Sequence, residues 1–390
     1  MTLPQTSAGY SSIIEALKQH LRSADEPDRI FTKNKKIEVV FLVEAVNAIL
    51  PRTEGVEDIT LVKIPGTDYE VPMILPQKLQ AVARRNMLSY LRDHYDKNKD
   101  RVKSYLKKLF VIFELKEDKR KKKEGEEGKE GGQIVGYVKA NADEWNCFIQ
   151  PPSGEGTDVG MDGFCPACVL FGTLLDNTKV SGIPKVSGTL KMSIGLKSRV
   201  EFDPAYAISD RKVSVMPLTH NKVSDGLSWT GRSLFREFHV VPGTIFVGKV
   251  TLEDVTGAEL IAFLATLTTV TRLGGRESLY GGVRMHLVGI RGGRYETVSA
   301  FELVRKLVKK YAERLPNVEE VMGELKNELS NKGFDTSINQ EDFKGLVDNN
   351  DTWDSLWEST LMYDKRVLER VLQLTGKQDK YQLAWETHTN

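Results

Sequence analysis

The chain has 390 residues, 40% hydrophobic and 28% charged, with a formal net charge of +1 at pH 7. That length and apolar content suit one large domain with insertions or two domains, and the near-neutral balance excludes a generally basic, histone-like binder while allowing a local basic groove. No apolar run reaches the length of a membrane span and no secretory signal is in view, so a cytoplasmic protein without membrane contact is expected.

Ser11 to Leu21 read as a short helix with Ile13, Ile14, Leu17 and Leu21 on one face. The run Ile37-Glu38-Val39-Val40-Phe41-Leu42-Val43, within 36–48, has the continuous apolar character of a central strand. The loop after it carries Glu54, Glu57 and Asp58. Clustered carboxylates can bind magnesium for phosphodiester cleavage, or form an acidic surface turn. Val71 to Ile74 is a further strand. Pro76 opens a helix reaching about Tyr95, with Leu79, Val82, Ala83, Met87, Leu88 and Leu91 in helical period and Lys78, Arg84, Arg85 and Arg92 on the other face. Leu109 to Leu115 and Ile134 to Val138 read as paired strands. The segment 118–132 between them is nearly all Lys, Arg, Glu and Gly: a solvated loop, or a basic finger using Lys119 to Lys123.

Residues 141–242 have a different texture, rich in Gly, Pro and short strand-like runs, and read as a long insertion holding all three cysteines. Three cysteines cannot close a disulfide framework, which directs attention to metal or redox chemistry. Cys165-Pro166-Ala167-Cys168 offers zinc two ligands from one turn and Cys147 a third. The fourth must be a histidine or a carboxylate. His220, in a polar segment of the same insertion, is the first choice, whereas His239 sits in a strand-like run and reads as core. Buried free thiols and a redox dithiol are the alternatives. A structural zinc with four protein ligands leaves no coordination site for catalysis.

Beyond the insertion the pattern is regular: a strand at Gly243–Leu252, a helix at Gly257–Thr271, a strand at Val283–Ile290, and helices at Ser299–Arg314, Val318–Leu329 and Trp353–Leu374. The layout fits an α+β fold with a β-α-β-β-α-β, ferredoxin-like or RNA-recognition-motif core. Its first part would be 25–140, its second 243–310, with a helical C-terminal region at 311–390. The stretch Gly274-Gly275-Arg276-Glu277-Ser278-Leu279-Tyr280-Gly281-Gly282-Val283-Arg284 joins a helix to a strand. Glycines admit a bulky anion close to the backbone, arginines neutralise phosphate and a tyrosine can stack on an unpaired base. A tight turn that needs glycine, with Tyr280 packed on the sheet, is the plainer reading. No Ser-His-Asp or Cys-His arrangement, Walker loop or His-Glu-x-x-His motif stands out, so no enzyme is expected.

Four stretches together resemble the RAMP superfamily of CRISPR-associated proteins, and specifically its backbone subunits. They are Leu75-Pro76 with the helix carrying Lys78, Arg84 and Arg85; Cys165 to Gly172; Lys197 to Pro204 followed by Leu234 to Phe238 and Val241 to Thr244; and the helix from Gly257 with the loop Leu273 to Val283. The cysteine-bearing insertion and the length look most like the backbone subunit of subtype I-D interference complexes. The resemblance implies an RNA-recognition-motif core with lid-like, zinc-binding and helical insertions. It also implies sequence-independent binding of single-stranded guide RNA, with copies of the chain stacked in a helical filament beside other subunits and target DNA engaged only indirectly. The RNA-binding set expected here is Lys78, Arg84, Arg85, Lys197, Arg199, Arg272, Arg276, Tyr280 and Arg284. Type III relatives cut target RNA with an acid after the first strand, so a metal-dependent endoribonuclease is the alternative.

Overall fold

The computed structural model describes residues 8–26, 31–51, 59–108, 110–115, 134–139, 145, 147, 165–175, 194–221, 234–274 and 280–374. In chain order the strands are β1 (Lys36–Ala45), β2 (Leu61–Lys63), β3 (Glu70–Ile74), β4 (Phe110–Leu115), β5 (Ile134–Lys139), β6 (Thr173–Leu175), β7 (Ile194–Leu196), β8 (Val200–Phe202), β9 (Ala205–Ala207), β10 (Val215–Asn221), β11 (Leu234–Val240), β12 (Ile245–Glu253) and β13 (Val283–Gly293). The helices are α1 (Ala8–Leu17), α2 (Pro76–Lys97), α3 (Lys99–Lys108), α4 (Pro166–Phe171), α5 (Arg211–Ser214), α6 (Gly257–Thr268), α7 (Ala300–Tyr311), α8 (Val318–Ser330), α9 (Gln340–Lys344) and α10 (Asn350–Leu374). The chain forms two units. The first comprises Met1–Ser23, Thr32–Tyr90 and Ser198–Thr352; the second comprises Ala24–Phe31, Leu91–Lys197 and Trp353–Asn390.

The first unit is built on an antiparallel sheet in the order β13-β1-β12-β9-β3-β2, with β8 also paired to β12. β1 lies between two long partners and is apolar on both faces, which accounts for its unbroken hydrophobic run. All nine residues of β12 are buried. On one face Phe41 meets Phe202, and Phe202 meets Phe263 of α6, at 6.1 Å between ring centroids in each case. On the other, Tyr206, opposite Val247, packs edge-on against Phe301 of α7 at 5.4 Å. Helices therefore cover both faces of the central strands, and a nucleic acid cannot lie across them.

Packing under α6 is close. Gly248 lies opposite Phe41, and a Cβ there would stand 2.5 Å from the Phe41 ring. Gly248→Ala is expected to cost about 1–3 kcal/mol by overpacking, measurable as a lower urea midpoint with unchanged slope.

Two ionic clusters hold this unit together, the first buried and the second reaching the surface. At the β12–α6 junction Asp254 adopts φ 52° and accepts the Lys33 N–H at 2.7 Å, with the buried Arg22 guanidinium 3.3 Å away. Thr256 and Glu259 form a reciprocal cap on α6, each side chain accepting the other's backbone N–H. Arg199 donates to both Glu259 oxygens, at 2.9 and 2.6 Å, and to the Asp254 carbonyl at 3.2 Å. Elsewhere the buried Lys249 meets Glu296 and Asp203. Burial raises the Asp203 carboxyl above its ordinary range despite the Ala300 N–H and Lys249. Burial also opposes ionisation of Glu296, but Lys249 and Lys36 outweigh it and hold that carboxyl low.

The second unit includes α2 from Leu91 onward, α3, the antiparallel pairs β4–β5 and β6–β7, α4 and α10. Trp145 is its pivot, edge-on to Tyr95 at 5.8 Å and to Trp357 at 5.2 Å. The buried His94 and Asp354 approach to 3.1 Å, and Arg101 reaches the other Asp354 oxygen at 2.8 Å.

Several expectations change. The mixed α+β class and antiparallel sheet are present, and β12-α6-β13 matches the second half of the expected order. Among the described residues no helix lies between β1 and β3, because α2 follows β3. The segment 141–242, expected as an insertion, is shared between the two units, which divide it after Lys197. Its β8 and β9 join the main sheet, and β10 and β11 belong to the first unit. β8 and β9 are three residues long and separated by Asp203-Pro204, so only pairing with β12 and β3 makes them strands. The C-terminal part also divides, since α7 and α8 lie in the first unit and α10 in the second from Trp353. Among the described residues no helix is long and apolar enough to cross a membrane.

Candidate metal centre and nucleic-acid interface

Three cysteines from separate parts of the second unit converge. Cys165 is the N-cap of α4 and Cys168 lies in its first turn, with Pro166 opening the helix. Cys147 follows the anchored Trp145, and its carbonyl accepts from Arg92 Nη2 at 2.6 Å. The three sulfurs lie within 4.8 Å of one another, Cys147 and Cys168 at 3.5 Å, all fully buried. None of the three is in a disulfide, which needs sulfurs about 2.05 Å apart. Ligands at about 2.3 Å around a tetrahedral zinc stand roughly 3.8 Å from each other, so the spacing suits one face of such a site. A metal takes cysteine as the thiolate, so loading such a site would release protons. The cluster can hold a metal ion. Among the described residues no fourth histidine or carboxylate joins it. His220 lies on β10 in the first unit, and its side chain is outside the described residues. His239 is fully buried on β11, as the sequence suggested.

The glycine stretch is drawn together at its neck. Leu273 N–H donates to the Gly281 carbonyl at 2.8 Å, and Gly281 N–H donates to the Ala48 carbonyl at 2.7 Å. Gly282 N–H donates to Asn47 Oδ1 at 2.5 Å. Gly281 has φ 85°, and a Cβ there would collide with the Leu273 carbonyl oxygen; Gly274, at φ 110°, faces the Leu50 carbonyl. At these positions glycine serves the turn itself. Residues 275–279, including Arg276, lie outside the described residues, as do Glu54, Glu57 and Asp58.

Around this neck the first unit gathers part of the expected basic set. Arg272 is exposed and donates to the Tyr280 carbonyl at 3.2 Å. Arg284 is exposed on β13 and pairs with Glu44 at 3.2 Å, where His286 also reaches Glu44 at 2.9 Å. α2 is pinned beside α6 by Asn86, whose Nδ2 donates to the Thr266 carbonyl at 2.8 Å and to Thr269 Oγ1 at 3.1 Å. Thr269 stands three residues before Arg272, so α2 meets the C-terminal end of α6 at Asn86, next to Arg84 and Arg85 in sequence. Lys78 and Arg85, seven residues apart, share a helical face. Sequence reading passed over Asn86 and Asn47, two polar residues that fix this arrangement.

Two members of the expected set have partners inside the protein. Arg199 is 8% exposed and both arms of its guanidinium are held by Glu259, so it fastens the core. Tyr280 packs against His239, with ring centroids 4.7 Å apart, so at least one side of its ring has an internal partner. Lys197 is exposed but lies in the second unit.

A family model described as Csc2 Crispr matches residues 16–365. The crystal structure of Thermofilum pendens Csc2 superposes with a TM-score of 0.64 at 34% identity, covering 93% of this chain and 96% of that one. More distant are chains of two structures, a CRISPR RNA-guided surveillance complex in a pre-nicking state and a second such complex. They match at 10% and 8% identity, each with a TM-score of 0.41 over 76% of this chain, covering 88% and 83% of theirs. No curated protein matches.

Proposed function

The chain belongs to the Csc2 CRISPR family, and from that premise we propose that it is a non-catalytic, guide-RNA-binding backbone subunit of a subtype I-D antiviral interference complex. Single-stranded RNA crosses the loop end of the first unit and meets phosphate-neutralising side chains without base selection. The observation that supports this reading is the Asn86 pin, which joins the part of α2 next to Arg84 and Arg85 to the end of α6 that leads to Arg272. Coverage of both faces of β1 and β12 supports loop-borne contacts over base stacking on the sheet. The adjacency β13-β1-β12, with α6 joining β12 to β13, supports an RNA-recognition-motif ancestry for the core.

Copies stack head to tail, each covering a fixed length of RNA, beside other subunits of the complex and with target DNA held through the guide. Cys147, Cys165 and Cys168 hold a structural zinc. Such an ion would cross-link the segments around Trp145 and α4. Arg276→Ala is expected to weaken binding of unrelated RNA sequences about equally and to lower the salt slope by roughly one phosphate contact. Filter binding at several salt concentrations measures both, and a loss confined to particular sequences would count against the proposal.

A further inference from the structure

A carboxylate stands among the basic residues at the neck of the glycine loop. Glu44 lies at the loop end of β1, directly opposite Arg284 of β13, with His286 two residues along the same face. Arg284 Nη1 donates to Glu44 Oε2 at 3.2 Å, and His286 Nε2 lies 2.9 Å from that same oxygen. Both contacts fall on Oε2, so among the described residues nothing partners Oε1. That oxygen is not buried, and the Glu44 side chain is 21% exposed. The register that sets the group is fixed next to it, where Ala45 pairs with Val283 and the Val46 N–H donates to the Gly282 carbonyl at 2.9 Å. Two side chains of one neighbouring strand thus hold the carboxylate in place and leave one of its oxygens open to a further donor.

A negative group on a surface that receives phosphates needs a reason, because the two repel. Along a sugar–phosphate backbone the phosphate and ring oxygens only accept hydrogen bonds. The ribose 2′-hydroxyl is the one donor there, and DNA lacks it. A fixed carboxylate with an open oxygen therefore attracts ribose and disfavours deoxyribose. We propose that Glu44 is the residue that selects RNA over DNA, its Oε1 accepting a ribose 2′-hydroxyl while Arg284 meets an adjacent phosphate. His286 acts through it, as a positioning residue that holds the carboxylate. The phosphate-neutralising side chains cannot make this choice, since both backbones carry the same charge. The inference rests on the proposal that nucleic acid crosses the loop end of the first unit.

The full-length chain is titrated with three single strands of one mixed sequence: RNA, its 2′-deoxy counterpart, and a 2′-fluoro strand, which keeps a ribose-like pucker but has no 2′ donor. The wild-type chain is expected to bind RNA roughly tenfold more tightly than either of the others, the size of one hydrogen bond to a charged group. Glu44→Ala is expected to bring all three within about twofold of one another. Arg272→Ala should weaken all three in proportion and keep the ratio, which separates sugar choice from phosphate attraction. The 2′-fluoro comparison needs only the wild-type chain, so the outcome does not hang on how a variant folds. Equal binding of RNA and the 2′-fluoro strand, or a preference for RNA that survives in Glu44→Ala, would overturn the proposal and leave the functional reading standing. A wild-type chain that binds none of the three would sink the functional reading, and this inference with it.

Discussion

Replacing Cys168 with serine is expected to abolish metal binding and lower the melting temperature by about 10 °C. The three sulfurs lie in a fully buried pocket joining the Trp145 segment to α4. Without an ion they would set three polarisable groups together, with no covalent link between the segments they join. A structural zinc contributes its binding energy to folding directly, so its loss is felt by the whole second unit. Zinc released into a colorimetric chelator should fall from one per chain to near none, with the thermal shift in parallel. A Cys168→Ser protein that keeps its metal and its melting temperature would show that the thiols are only packed side chains. Arg92→Ala is a milder companion, since it frees the Cys147 carbonyl without removing a ligand.

The second large effect is expected at Glu259. Its carboxylate caps α6 and receives both arms of the Arg199 guanidinium. Glu259→Ala leaves a buried arginine without its main partner and removes the cap, at a cost of about 3–5 kcal/mol. Arg199→Ala should cost a similar amount. Exchanging both for apolar residues should recover part of the loss, because a buried pair is costlier to break than to replace. Denaturant titration of the three variants gives the coupling directly. The same variants test the role assigned to Arg199: its removal should lower stability without reducing the salt slope of RNA binding. A slope that falls while stability holds would return Arg199 to the RNA surface.

What the sequence displayed, and what it concealed, follows from the range of the interactions. β1 was legible because a strand flanked on both sides and covered on both faces leaves few polar positions. α2 was legible because Pro76 marks its first turn, and the β4–β5 pair because two apolar runs flank a charged stretch. The cysteine cluster could be anticipated from ligand chemistry alone. Arg199 was not legible, since an arginine at a strand end looks the same whether it faces solvent or a carboxylate 60 residues away. One signal was available: Glu259 stands in the otherwise apolar helix Gly257–Thr268, and a buried acid needs a countercharge. β8 and β9 were hidden because their pairing with β12 and β3 is set by tertiary contacts and not by strand propensity. The loop neck was half legible, its glycines visible but their partners Ala48, Asn47 and Leu50 set by the fold.

Ultraviolet cross-linking of the chain to a single-stranded RNA, with the adducts located by mass spectrometry, tests the account at its centre. Cross-linked peptides are expected from 272–284 and from the first half of α2, and they should be the same for RNAs of unrelated sequence. Adducts confined to α7, α8 and α10, with none at the loop end of the first unit, would contradict it.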